Sequence, residues 1–61
     1  MAFDLRLQTD TAAFGDEDDA ATSAIEVARI LRKVADMVLD GETARPVFDI
    51  NGNRVGSFKL D

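Results

Sequence analysis

Asp49, Asn51 and Asn53 stand at alternate positions around Ile50 and Gly52. Oxygen-bearing side chains at that spacing open the Ca²⁺-binding loop of an EF-hand. The pattern then stops. The sixth position, which needs glycine for its sharp turn, is Arg54, and the twelfth, which needs a bidentate glutamate, is Leu60. A Ca²⁺-dependent module using loop 49–53 is therefore an alternative, and a polar β-turn is the main reading. Asp16, Glu17, Asp18 and Asp19 form an unbroken acidic run. Such a run can draw a divalent cation, imitate nucleic-acid phosphates or meet a basic protein surface, although most are simply solvated. Of the functional readings, the basic protein partner is the best electrostatic match. Arg29, Arg32 and Lys33 are the densest group of bases, but Glu26, Asp36 and Asp40 are interleaved with them. Pairs such as Glu26 with Arg29, three apart on a helix, account for them. A nucleic-acid-linked regulator using that cluster is thus a second alternative.

Parts for catalysis are few. The chain has neither histidine nor cysteine, which removes the usual general base, the thiol nucleophile and Cys/His metal sites. Ser23 reads as a helix cap and Ser57 as a strand residue with no base beside it. Two facing carboxylates would need an interior in which one pKa rises and the other does not, and so short a chain offers little. No glycine-rich phosphate loop is present. The expectation is a protein that is not an enzyme, with no cofactor, no metal and no catalytic residue.

The charge of −5 over 61 residues is one-sided. Residues 1–22 hold Asp4, Asp10, Asp16, Glu17, Asp18 and Asp19 against Arg6 alone, and in residues 23–61 acids and bases balance. Binding of DNA or RNA needs a basic patch and is disfavoured. No apolar run approaches the roughly 18 residues of a membrane span. No basic region followed by an apolar stretch marks a signal peptide. With no cysteine, the expected location is the cytosol. A chain of this size buries only about 60% of its unfolded surface, so one domain is expected, steadied by self-association.

The elements follow from period and punctuation. Phe3 to Gln8 alternates apolar and polar, which predicts a strand over about 2–8 with Phe3, Leu5 and Leu7 facing inward. Residues 9–22 lack a period and read as an acidic loop, with Phe14 able to tuck under the helix and close one end of the core. Ser23 and Glu26 fit a capping box. Val27, Ile30, Leu31, Val34, Met37 and Val38 then recur every three or four residues, predicting a helix over about 24–40 that ends at a left-handed Gly41. Ile25, Ala28, Ala35 and Leu39 widen its apolar side, and Glu26 falls on the wet face.

Asn51-Gly52 between two runs rich in Val, Ile and Phe predicts a hairpin over about 45–60. Pro46 makes the first of its strands an edge. The result is an α+β fold, β-α-β-β, with a three-stranded antiparallel sheet in order 1-3-2 and one helix on one face. A two-residue turn would pair Phe48 with Val55. A three-residue turn with Gly52 as the bulge would pair Val47 with Val55 and align Phe48 with Phe58 and Leu60, and this register is preferred because it gathers the aromatics under the helix. Either one sends part of Val47, Phe48, Ile50 and Val55 to the outer face.

Ala12-Ala13-Phe14, the helix stretch 26–36 and Asp49-Ile50-Asn51-Gly52-Asn53-Arg54-Val55-Gly56 followed by Phe58 resemble a group of small phage- and prophage-encoded proteins with a C-terminal D-x-N-G-N-x-V-G hairpin. The resemblance transfers no activity and no catalytic residue. It implies a context in which very small proteins bind and modulate a host or defence protein. The expected function is therefore a non-enzymatic interaction protein. Its expected contact residues are Asp16, Glu17, Asp18 and Asp19 in the loop and Val47 and Val55 on the sheet. A homodimer is expected too, through the outer face around Val47 and Val55 or by edge pairing of the hairpin or the first strand.

Overall fold

A computed structural model describes residues 1–16 and 18–61; Glu17, one of the expected contact residues, lies outside the described residues. The elements are β1 (Phe3–Leu7), a 3₁₀ turn (Ala12–Phe14), α1 (Ala20–Leu39), β2 (Ala44–Phe48) and β3 (Arg54–Leu60). The three strands are antiparallel in the order β1-β3-β2, so the fold is α+β and β-α-β-β. The strand carrying Pro46 is at an edge, as a residue without an N–H requires. Among the described residues no helix is long and apolar enough to cross a membrane.

α1 lays Ile30 and Val34 on Val47, Val55 and Phe58, and Phe14 closes the cluster. Phe14 comes from the aperiodic segment, yet it is only 1% exposed. Leu5, Leu7, Val27, Met37 and Val38 pack around this centre. The helix ends as its glycine predicts. Gly41 takes φ 96°, the Gly41 N–H donates to the Val38 carbonyl at 3.0 Å, and the Glu42 N–H donates to the Met37 carbonyl at 3.0 Å. Those two bonds are a Schellman motif.

The helix start differs from the expected one. α1 begins at Ala20, and its N-cap is Asp19, whose carboxylate accepts the Thr22 N–H at 3.0 Å and the Thr22 hydroxyl at 2.7 Å. Aspartate caps as well as serine does, and the alanines after it favour helix, so the helix extends back to the earlier cap. Ser23 lies inside the first turns, and Glu26 is engaged elsewhere.

The hairpin turn has the expected three residues with Gly52 in the left-handed position, but the pairing beyond it differs, with consequences for the surface. The connection has three residues, Ile50-Asn51-Gly52. The Asp49 N–H donates to the Asn53 carbonyl at 2.8 Å and the Gly52 N–H to the Asp49 carbonyl at 3.0 Å. Gly52, at φ 85°, supplies the left-handed position such a loop needs. Beyond the turn Phe48 faces Arg54, but Val47 faces Gly56, so Val55 is an extra residue in a bulge. A bulge re-aims side chains and breaks strict alternation. Val55 therefore joins Phe58, three positions on, in the core.

Val47 and Val55 are 3% and 2% exposed, under the helix, so neither forms the outer contact surface expected of them. Phe48 on the strand and Ile50 in the turn are instead the exposed pair, at 48% and 68%. By strand alternation and register, the outer face carries Asp4, Arg6, Ser57 and Lys59, with Ala44, Pro46 and Phe48 along one side. An apolar outer face centred on the valines does not exist, and the dimer expected through it has no surface to use.

Candidate interaction surfaces

The side chains of Asp49, Asn53 and Arg29 are committed to holding the hairpin. Asp49 is buried, and both its oxygens are used. Oδ1 accepts the N–H groups of Asn51 and Asn53, each at 2.9 Å. Oδ2 accepts the Thr11 hydroxyl at 2.7 Å and the Asn53 amide at 3.1 Å. The carboxylate thus folds its own turn and ties it to the segment before the 3₁₀ turn. Four donors on one carboxylate leave no oxygen directed at a cation, and the Ca²⁺ reading loses its first ligand.

Glu26 does not lie on the wet face of the helix as its position in the stripe predicts. It is 5% exposed. It accepts the Arg29 Nε–H at 2.6 Å and Nη2–H at 3.1 Å, and the Ile50 N–H at 2.9 Å. Arg29 Nη2 also reaches the Phe48 carbonyl at 3.4 Å. The Glu26–Arg29 pair expected from spacing is therefore present, but it works as a clamp between α1 and the hairpin. This commits Arg29 and leaves Arg32 and Lys33 as the exposed part of the basic cluster, which weakens the nucleic-acid alternative.

Among the described residues three carboxyls, Glu26, Asp49 and Asp19, are held below their ordinary values. Arg29 and the Ile50 N–H hold Glu26 down against its desolvation. At Asp49 desolvation is the largest single influence and pushes up, but the donors from Thr11, Asn53 and Asn51 together outweigh it. Thr22 lowers Asp19 through its hydroxyl and its N–H. A carboxyl with a lowered folded-state pKa contributes its full stability above the unfolded-state value and loses it as pH falls through the folded-state one. Stability is expected to be flat from about pH 5 to 8 and to fall below about pH 4. In Glu26→Gln the melting temperature at neutral pH is expected to drop by the equivalent of about 1–3 kcal/mol. Its gap from wild type should narrow toward pH 3, which thermal melts across the range will show. A gap that stays constant with pH would mean Glu26 is not held ionised by the clamp.

The acidic end survives as a surface. Asp10, Asp16 and Asp18 are exposed, and an open cleft of about 820 Å³ is bordered by Asp10, Asp16 and Asp19 beside Phe14. Among the described residues no three carboxylates converge closely enough to hold a metal ion. The charge is spread along the end of the molecule, an arrangement that suits an extended basic surface better than a point charge.

Two further features concern the sheet edges. On β1 the Gln8 N–H donates to the Val55 carbonyl at 2.7 Å, and the Asp61 N–H donates to the Ala2 carbonyl at 3.0 Å. Even-numbered positions therefore face β3, and ladder alternation points the N–H and C=O groups of Phe3, Leu5 and Leu7 outward. Beside this edge runs an open groove of about 390 Å³ lined only by apolar side chains, Phe3, Leu5 and Leu60 from the sheet and Leu31, Ala35 and Val38 among those from α1. The signal for it in the sequence is the helix's apolar side, wider than one small sheet can cover. The opposite edge is closed. On β2 the Leu60 N–H donates to the Thr43 carbonyl at 2.7 Å, so Ala44, Pro46 and Phe48 point outward. Pro46 has no N–H to offer, and Arg29 occupies the Phe48 carbonyl.

No family model, curated protein or solved structure matches this chain.

Proposed function

We propose that this chain is a small non-catalytic interaction protein, of the kind encoded by phages and prophages, that binds and modulates a basic host or defence protein in the cytosol of the host cell. The observation that carries this reading is the one-sided charge. The whole excess of −5 arises in residues 1–22, where Asp10, Asp16, Asp18 and Asp19 are exposed and Asp10, Asp16 and Asp19 border one open cleft. A concentrated field of one sign steers an oppositely charged partner and fixes its orientation.

The test compares two immobilised baits in host lysate. One is wild type, and the other is Asp16→Asn/Glu17→Gln/Asp18→Asn, which spares the helix cap at Asp19. Wild type is expected to retain a basic protein that elutes on raising the salt, and the neutralised bait to retain at least tenfold less of it. Equal retention by both baits would remove the acidic end from the account. Failure to enrich any protein over a blank support would remove the function itself.

A further inference from the structure

We propose that two copies of this chain form a two-fold homodimer by antiparallel pairing of their β1 edges, with Leu5 facing Leu5. This does not depend on any host partner, since both surfaces belong to the chain itself. β1 is the edge on which every outward position offers both a donor and an acceptor, whereas β2 is interrupted at Pro46. The outward N–H and C=O groups of Phe3, Leu5 and Leu7 recur at every second position, which is the spacing of hydrogen-bonded pairs in an antiparallel ladder. With Leu5 on the two-fold axis, Phe3 meets the partner's Leu7, and about six ladder bonds close a six-stranded sheet.

The strand also carries its own register marks. In the sequence Phe3-Asp4-Leu5-Arg6-Leu7 the charges are placed symmetrically about Leu5 with opposite sign. Pairing centred on Leu5 puts Asp4 beside the partner's Arg6 and Arg6 beside the partner's Asp4, both on the outer face. A slip of one residue mismatches the outward backbone groups. A slip of two in either direction sets Asp4 against Asp4 or Arg6 against Arg6, and like charges directly opposite are destabilising. On the helix-facing side the same register brings the partner's Leu5 and Leu7 alongside Leu5 and Phe3, beside the apolar groove. Phe3 is 48% exposed in the single chain and gains cover there. The acidic segment follows the C-terminal end of β1, so antiparallel pairing carries the two acidic ends to opposite ends of the dimer. Their repulsion is thereby kept small, and each stays open.

Charge reversal tests this on the full chain in solution by sedimentation equilibrium, with circular dichroism as the check on folding. Wild type at tens of micromolar is expected to show twice the 6.6 kDa chain mass. Asp4→Arg and Arg6→Asp each turn two attractions into two repulsions and are expected to weaken association by about tenfold or more. The Asp4→Arg/Arg6→Asp double variant restores opposite charges and is expected to regain the dimer. An equimolar mixture of the two single variants is expected to form a mixed dimer, since a strand with two bases then faces one with two acids. Should Asp4→Arg fail to fold because its new arginine faces Lys59, Arg6→Asp, whose neighbour on β3 is Ser57, decides alone. A monomeric wild type overturns the proposal. So does a dimer whose dissociation constant is the same in a folded single variant as in wild type.

Discussion

Gly56→Ala is expected to remove much of the chain's stability. A Cβ placed on Gly56 falls 1.8 Å from the Arg6 carbonyl oxygen, 2.9 Å from its carbon and 3.1 Å from the Leu7 Cα. All three are backbone atoms of β1, so no side chain can turn aside. Relief requires β1 to move away from β3, and that separates the ladder joining the strands and lifts Leu5 and Leu7 off the core. The expected loss is about 3–5 kcal/mol, in the range of substitutions that break a specific backbone arrangement. At roughly 0.05–0.15 kcal/mol per residue a chain of this length holds about 3–9 kcal/mol, so the loss takes a large share of it. Urea titration followed by circular dichroism reads the result directly. A midpoint within error of wild type would mean that β1 does not approach Gly56 as described, and the β1–β3 register would have to be withdrawn.

Phe14→Ala carries the second large effect. Phe14 is held by a single 3₁₀ turn, in which the Phe14 N–H donates to the Thr11 carbonyl at 3.0 Å. Its ring is fully enclosed as part of the core cluster that Ile30, Val34, Val47, Val55 and Phe58 complete. Truncation removes the ring and leaves a cavity at the end of the core, at an expected cost of about 3–5 kcal/mol. Phe14→Leu keeps most of the plug and should cost clearly less, because volume-conserving apolar exchanges are the best tolerated. The same denaturation experiment distinguishes the two. If Phe14→Ala matched wild type, the segment between β1 and α1 would be an ornament on the fold and not part of its core.

These two residues illustrate which parts of the structure were legible in the sequence. β1 and the inner stripe of α1 follow from period alone, and the order β1-β3-β2 follows from the position of Pro46. Gly41 marks the end of the helix, and Asn51-Gly52 marks the turn. Three features were harder to see. Asp19 and Ser23 are both competent N-caps, and only packing decides between them. Glu26 sits where an amphipathic helix turns from wet to dry. The N–H that draws it inward belongs to Ile50, 24 residues away, and no local pattern registers that. Alternation places Val47 and Val55 on the outer face, and a bulge cancels alternation. Here a signal was available, because a glycine inside a strand marks a bulge or a close backbone approach, and Gly56 is both.

The surfaces left for partners follow from that correction. With the valines buried, the outer face is largely polar, and the β2 edge is blocked by Pro46. The acidic end and the β1 edge remain. The first was visible as composition. The second is one of several edges the sequence allows, and the direction of its outward N–H groups together with the symmetry of Asp4 and Arg6 about Leu5 sets it apart.

The central claim is that this protein acts by association, with β1 as the edge where one copy meets another, and amide hydrogen exchange on the unmodified chain tests it most directly. In a lone chain the N–H groups of Phe3, Leu5 and Leu7 face water and exchange quickly. In the paired sheet they are donors to the second copy. The account predicts that these three amides are protected at high protein concentration and lose protection together on dilution, while the outward amides of Ala44 and Phe48 on β2 exchange quickly throughout. Rapid exchange at Phe3, Leu5 and Leu7 at every concentration would contradict it.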